Sequence, residues 1–264
     1  VATTSGLTAS NHTVTIKDAN SCSVTVTYNV LNNGSPTASI PSTTNTSCFG
    51  GSNGGFTVVG AGGSGAPFTY TLTSPFQSNG IGTFTGLSAG TYTIITKDNA
   101  GCTTTNTVDV NQPALLTLTA TPVTALCFGT ATGTVNVSGS GGTSTYSYNL
   151  NGGAYQASST FANQFAAIYS MGIKDANGCT ATQTVQVLQP TALAIQVATQ
   201  NANCTAANGV ATTTVTGGTP IYTYTWTGGG GASATSNSVI AGSYTVVATD
   251  ANGCSISSQA IIGL

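Results

Sequence analysis

Apolar and polar residues alternate along short runs of this chain. Tyr92, Ile94 and Thr96 form one such series, Tyr169, Met171 and Ile173 a second, and Tyr244, Val246 and Ala248 a third. A period of two puts each series on one face of a half-buried strand. The runs are rich in Thr, Val, Ile and Tyr, which suit a pleated surface, and clusters of Gly, Asn, Ser and Pro separate them. No stretch keeps an apolar helical stripe, so the pattern predicts an all-β chain with minimal helix.

The pattern also repeats on a longer scale. KDANSC at 17–22 recurs as KDNAGC at 97–102, KDANGC at 174–179 and TDANGC at 249–254. In phase with it run SCFGGSNGGFTV from Ser47, LCFGTATGTVNV from Leu126 and NCTAANGVATTTV from Asn203. Gln-Pro at 112–113 and 189–190 reads as a joint. The period is about 77 residues, long enough for six or seven short strands. Each unit is therefore predicted to be an immunoglobulin-like antiparallel β-sandwich whose FG-type hairpin carries the Asp-x-x-Gly-Cys turn. The expected organisation is a truncated C-terminal half of a repeat at 1–39, then sandwiches at 40–112, 113–189 and 190–264.

Composition narrows the partners. Hydrophobic residues make up 39% of the chain and charged ones 3%, with a net charge of −2. Hydroxyls and amides must therefore cover the surface. Nucleic acid is not an expected partner, because phosphate binding needs clustered cations and the chain has only Lys17, Lys97 and Lys174. Disorder usually combines low hydrophobicity with high net charge, so this chain should fold. No apolar run is long enough to span a membrane. The start at Val1 reads as a processed chain or a piece of a longer one.

The residues that could carry chemistry read more simply as structure, and the chain is not expected to be an enzyme or to hold a cofactor or metal. GLTASNHTVTIKDANSC aligns with GLSAGTYTIITKDNAGC, which places the single histidine, His12, where the other copies have Tyr92, Tyr169 and Tyr244. It is read as a structural substitute without catalytic or metal-binding partners. The carboxylates are Asp18, Asp98, Asp109, Asp175 and Asp250. Four of them occupy one repeat position. Calcium needs several oxygens together, and each turn offers one carboxylate, so Asp18, Asp98, Asp175 and Asp250 are expected to close Asx-type turns. Gly101, Gly178 and Gly253 would supply the positive φ there. The preceding lysines are read as solvated neighbours. Tyr222, Tyr224 and Trp226 share a face with Leu72 and Leu150 of the other copies, which marks that face as core. The glycine runs at 60–65 and 228–231 open no helix and are loops, not phosphate cradles.

Seven cysteines, without a CxxC pair, fit disulfides better than zinc and imply an oxidising compartment. Pairing within repeats would join Cys48 to Cys102, Cys127 to Cys179 and Cys204 to Cys254, leaving Cys22 unpaired in this chain. Pairing across the joint would join Cys22 to Cys48, Cys102 to Cys127 and Cys179 to Cys204, leaving Cys254. Strand directions put the FG turn and the end of the first strand at opposite poles, which counts against the first scheme. The second spans most of a module unless the segments fold back at Gln-Pro. Pairing within repeats is the working expectation.

Taken together, CFGGSNGGFTV, the Tyr-x-Tyr strand, GLSAGTYTIITKDNAGC and the Gln-Pro joint resemble the SprB repeats of Bacteroidetes gliding-motility surface adhesins. The resemblance covers nearly the whole chain. It implies a long repetitive surface filament, exported by the type IX secretion system, moved by the gliding machinery and adhering to a substratum. The expected function is thus a structural and adhesive stalk at the cell surface. Its partners would be neighbouring repeats, and also surface polysaccharide or the secretion and gliding machinery, without direct membrane insertion. The alternatives are a carbohydrate-binding module array using exposed aromatics such as Phe76 or Tyr155, and a self-assembling extracellular filament completed by strand exchange between copies.

Overall fold

The computed structural model describes residues 3–204 and 206–264. Among them there is no helix, and every named strand pairs antiparallel. Two compact units divide the chain, 1–113 and 114–264.

The first unit opens with a hairpin of β1 (Ser10–Lys17) and β2 (Ser23–Val30), paired residue for residue from Ser10↔Val30 to Lys17↔Ser23. A sandwich follows. Its first sheet orders β3 (Pro36–Thr44), β4 (Gly54–Gly62) and, beyond β5 (Thr69–Leu72) and β6 (Gln77–Asn79) in the chain, β7 (Thr83–Leu87) as β3-β4-β7. Its second sheet adds β8 (Gly90–Lys97) and β9 (Thr103–Val110) in the order β6-β5-β8-β9. The opening strand begins at Pro36, ahead of the boundary the sequence suggested at 39/40. Phe56, Val58, Leu72, Phe84, Leu87 and Ile94 fill the space between the sheets.

The second unit holds two sandwiches of three plus three strands. In the first of these, β10 (Thr117–Val123), β11 (Gly133–Ser140) and β13 (Thr160–Gln164) face β12 (Ser147–Leu150), β14 (Ala167–Lys174) and β15 (Thr180–Val187). In the other, β16 (Ala194–Gln200), β17 (Gly209–Thr216) and β19 (Thr235–Val239) face β18 (Thr223–Trp226), β20 (Gly242–Thr249) and β21 (Ser255–Ile262). The cores gather on Val135, Met171 and Ile173, and on Trp226, Val246 and Ile262. This two-sheet arrangement, with the first strand of each sandwich lying beside its last (β3 by β9, β10 by β15, β16 by β21), is the immunoglobulin-like sandwich that the period-two pattern predicts.

The alternating aromatic positions are core, as parity requires. Leu72 is fully buried, Trp226 is 6% exposed, and Tyr224 packs against the third cluster. The tyrosine that leads each FG hairpin turns its hydroxyl back along the chain. Tyr92 donates to the Ser88 carbonyl at 2.8 Å, Tyr169 to Phe165 at 2.9 Å and Tyr244 to Ile240 at 3.0 Å. Such a corner fixes the entry to the hairpin. His12 reproduces it: its Nε2 lies 2.6 Å from the Thr8 carbonyl, again four residues upstream. A carbonyl only accepts, so Nε2 carries the proton. The alignment of His12 with the tyrosines is thus a geometric equivalence.

Among the described residues, the β1–β2 hairpin forms a two-stranded sheet of its own, with no second sheet packed on it. Val14, Ile16, Val24 and Val26 are 41%, 61%, 57% and 53% exposed, whereas Ile94, the counterpart of Val14, is 0% exposed.

Candidate functional site at the repeat joint

Each hairpin turn is organised by its aspartate. Asp98 Oδ1 accepts the N–H groups of Ala100 and Cys102 at 3.0 and 2.9 Å. Asp175 does the same for Asn177 and Cys179, Asp250 for Asn252 and Cys254, and Asp18 for Asn20 and Cys22. Gly101, Gly178 and Gly253 take φ of 93°, 85° and 84°, and Ser21 takes 69° in the first copy. This is the Asx turn that the spacing predicts.

The other carboxylate oxygen does what sequence reading missed. Oδ2 of Asp98, Asp175 and Asp250 accepts the N–H of Ser64, Thr143 and Thr219 at 2.9, 2.8 and 2.9 Å. Those residues follow Gly62-Gly63, Gly141-Gly142 and Gly217-Gly218, so each aspartate ties the hairpin turn to a loop from the other sheet. A Cβ on Gly63, Gly142 or Gly218 would meet Oδ2 at 2.4, 2.5 or 2.6 Å. The Gly-Gly pairs recur in phase with the aspartates, and that was the available signal. The glycine run at 60–65 is only in part the loop expected: residues 60–62 end β4, and the turn that follows from Gly63 accommodates the carboxylate. Lys174 departs from the expectation of a solvated neighbour, since its Nζ stands 4.5 Å above the Tyr155 ring.

All three aspartates are buried, and all three titrate below their ordinary value. For Asp98 and Asp250 the leading cause is the N–H from the glycine loop, Ser64 or Thr219. Together with the N–H groups of the turn it outweighs burial, which acts the other way. For Asp175 burial is the largest single influence and pushes upward. The N–H groups of Thr143, Cys179, Asn177 and Gly178 together overcome it. A folded-state pKa below the unfolded value of about 3.9 means that these locks stabilise fully above that value and are lost as pH falls through the folded pKa. Thermal scans from pH 7 to pH 2 should show a flat melting temperature down to about pH 5 and a fall below about pH 4. Replacing Asp98, Asp175 and Asp250 together by Asn should lower the plateau and flatten the fall.

The cysteines pair in neither of the ways considered above. Cys127 bonds Cys254 with a Cα separation of 5.7 Å, joining the β10–β11 loop of one sandwich to the hairpin turn of the next. Cys48 and Cys179 are also disulfide-bonded, and Cys22, Cys102 and Cys204 are free and exposed. The Cys127 bond rules out Cys127–Cys179, Cys204–Cys254 and Cys102–Cys127, and the free thiols of Cys102 and Cys204 are at odds with the remaining links proposed for them. The reason lies in the polarity of the sandwich. The Ala125 N–H donates to the Leu188 carbonyl at 2.9 Å, beyond the end of β15. Cys127 therefore sits at the pole away from Cys179, an eight-residue strand or about 25 Å distant, far beyond disulfide reach. The turn at Cys254 faces Cys127 instead.

The joint has further ties. The Gln189 side-chain carbonyl accepts the Gly129 N–H at 2.7 Å, and that of Gln112 accepts Gly50 at 2.7 Å, so the Gln-Pro motif closes the Cys-Phe-Gly loop of its own repeat. Asn252 Nδ2 donates to the Leu126 carbonyl across the joint and to Thr219 Oγ1, both at 2.9 Å. Phe128, Leu193, Asp250, Cys254 and Ile256 line a cleft of about 390 Å³ there. Phe128 and Phe49 occupy the same repeat position and are 56% and 52% exposed. Of the aromatics singled out from sequence, Phe76 is 78% exposed, and Tyr155 is 36% exposed beneath Lys174.

These features define a tandem array of immunoglobulin-like sandwiches with a covalent bond between successive members. The SprB repeat family model matches residues 40–75, 117–155 and 197–231, the leading half of each full sandwich. Each of the three full sandwiches therefore carries a match to the SprB repeat. No curated protein matches the sequence. Among solved structures the chain is similar to Sidekick-1 immunoglobulin domains 1–5, at 13% identity and TM-score 0.35, over 97% of this chain and 66% of that one. An adhesin of an Antarctic bacterium, described as Ca2+-stabilized and ice-binding, matches at 17% identity and TM-score 0.38, over 94% of this chain and 79% of that one. The eight N-terminal immunoglobulin domains of Down Syndrome Cell Adhesion Molecule match at 14% and 0.37, over 97% and 40%.

Proposed function

We propose that this chain is a stalk segment of a cell-surface adhesin that serves gliding motility, and that it performs no catalysis. The observation that carries this reading is the Cys127–Cys254 bond between two SprB repeats. A bond across a joint does nothing for the chemistry of a pocket, but it keeps successive modules together under tension. The disulfide also suits an oxidising, extracellular setting. A surface of hydroxyls and amides with few charges makes such a stalk insensitive to ionic strength. Its partners are neighbouring repeats, with surface polysaccharide and the gliding machinery engaged elsewhere along the filament.

Fluorescent Fab fragments raised against the folded chain test this on living cells that carry it. Intact cells should label without permeabilisation, and the labelled spots should travel along the surface. Labelling that requires permeabilisation would sink the surface reading. Static surface label would leave a stalk without a part in gliding.

A further inference from the structure

The Cys127–Cys254 bond joins two positions that recur in every repeat. One is the cysteine two residues beyond an N–H that caps the end of its own repeat: Thr46 onto Asn111, Ala125 onto Leu188 and Ala202 onto Gly263, each at 2.9 to 3.0 Å. By that anchor Cys204 is the counterpart of Cys127, in a loop one residue shorter before Gly209. The other is the cysteine of the aspartate-locked turn, a position that Cys22 and Cys102 share with Cys254.

Recognition at the joint has a second component. Asn252 Nδ2 donates to the carbonyl of Leu126, the residue before Cys127. Cys22 has the same asparagine two residues before it, Asn20, whereas Cys102 has Ala100 there. The Cys22 turn is also already shaped for the role. Asp18 Oδ1 holds the N–H groups of Asn20 and Cys22 at 2.9 Å each, matching Asp250 with Asn252 and Cys254. Cys22 and Cys204 are both free and exposed.

We propose that Cys204 is the open half of a further staple and accepts the Asp-Ala-Asn-x-Cys turn of another repeat. In a solution of this chain alone, that turn is the Cys22 turn of a second copy. A low-molecular-weight disulfide supplies the oxidising equivalents. One cysteine thiolate attacks it, forming a mixed disulfide and releasing one small thiol. The second cysteine thiolate then attacks the mixed disulfide, releasing the other small thiol and leaving the Cys204–Cys22 bond. The two ends differ, so the contact is head-to-tail and does not close on itself as a symmetric dimer would. This assembly is independent of what the filament adheres to.

The test is oxidation of the purified, folded chain in a glutathione redox buffer, followed by non-reducing electrophoresis and peptide mapping. A ladder of covalent dimers, trimers and longer species is expected, with Cys204 joined to Cys22 between copies. Asn20→Ala should lower the yield of that link roughly fivefold, the weight of one good hydrogen bond. Cys204→Ser should abolish the ladder while leaving the melting temperature unchanged. Symmetric Cys204–Cys204 dimers, Cys204–Cys102 as the main link, a bond from Cys22 to Cys204 within one molecule, or monomers capped by glutathione would each overturn the proposal.

Discussion

Pulled by its two ends in a force spectrometer, the oxidised chain will extend far less than its length allows. The Cys127–Cys254 bond closes a loop with a sequence separation of 127. Force entering through β10 passes straight to β21, so the strands from β11 to β20 are bypassed. At roughly 3.5 Å per extended residue the hidden length is about 40 nm. Adding a reductant should restore that length as new unfolding events. Unchanged extension after reduction would show that the bond is absent in solution. The same bond should stabilise by about 5 kcal/mol in the chain-entropy model for a loop of this size.

Gly142→Ala will be among the most destabilising single-methyl additions in the chain. Its φ is +58°, where an L side chain costs about 1–2 kcal/mol, and the new Cβ would lie 2.5 Å from Asp175 Oδ2. The carboxylate must leave the Thr143 N–H to make room. A total of about 3 kcal/mol should lower the melting temperature of that sandwich by about 10 °C or more in calorimetry. Asp175→Ala disrupts the same lock from the other side, so the double variant should lose clearly less than the sum of the two. Strict additivity would show that the glycine and the aspartate act separately. Gly152→Ala is the control: its φ is +72° but nothing lies within 4 Å, so it should show the backbone cost alone.

Much of the fold was legible because its causes are local. Alternation in 92–96, 169–173 and 244–248 reports burial on one strand face, and the Asp-x-x-Gly-Cys spacing reports a turn whose partners lie within four residues. His12 was readable for the same reason, since its bond to Thr8 repeats the four-residue step of the tyrosines. The second bond of each aspartate reaches a loop about 32 residues upstream in sequence. No local propensity encodes it, and only the shared phase with Gly-Gly hinted at it. The cysteine partners were missed for a related reason. Spacing along the chain points to pairs within one module or across one joint, whereas the bond links the loop of one repeat to the turn at the end of the next. Polarity of the strands already separated Cys127 from Cys179, but reaching Cys254 required knowing which poles meet.

The closure of each Cys-Phe-Gly loop by its own Gln-Pro glutamine bears on how a repeat comes into being. Gly129 is held by Gln189, and Ala125 by Leu188. The opening segment of the repeat can reach its native place only after the closing segment has arrived. A chain emerging N-terminus first, from a ribosome or through a pore, therefore keeps each repeat unfinished until the Gln-Pro has cleared the exit, and such long-range closure is slow. Threading and folding are thereby kept apart in time, one repeat after another.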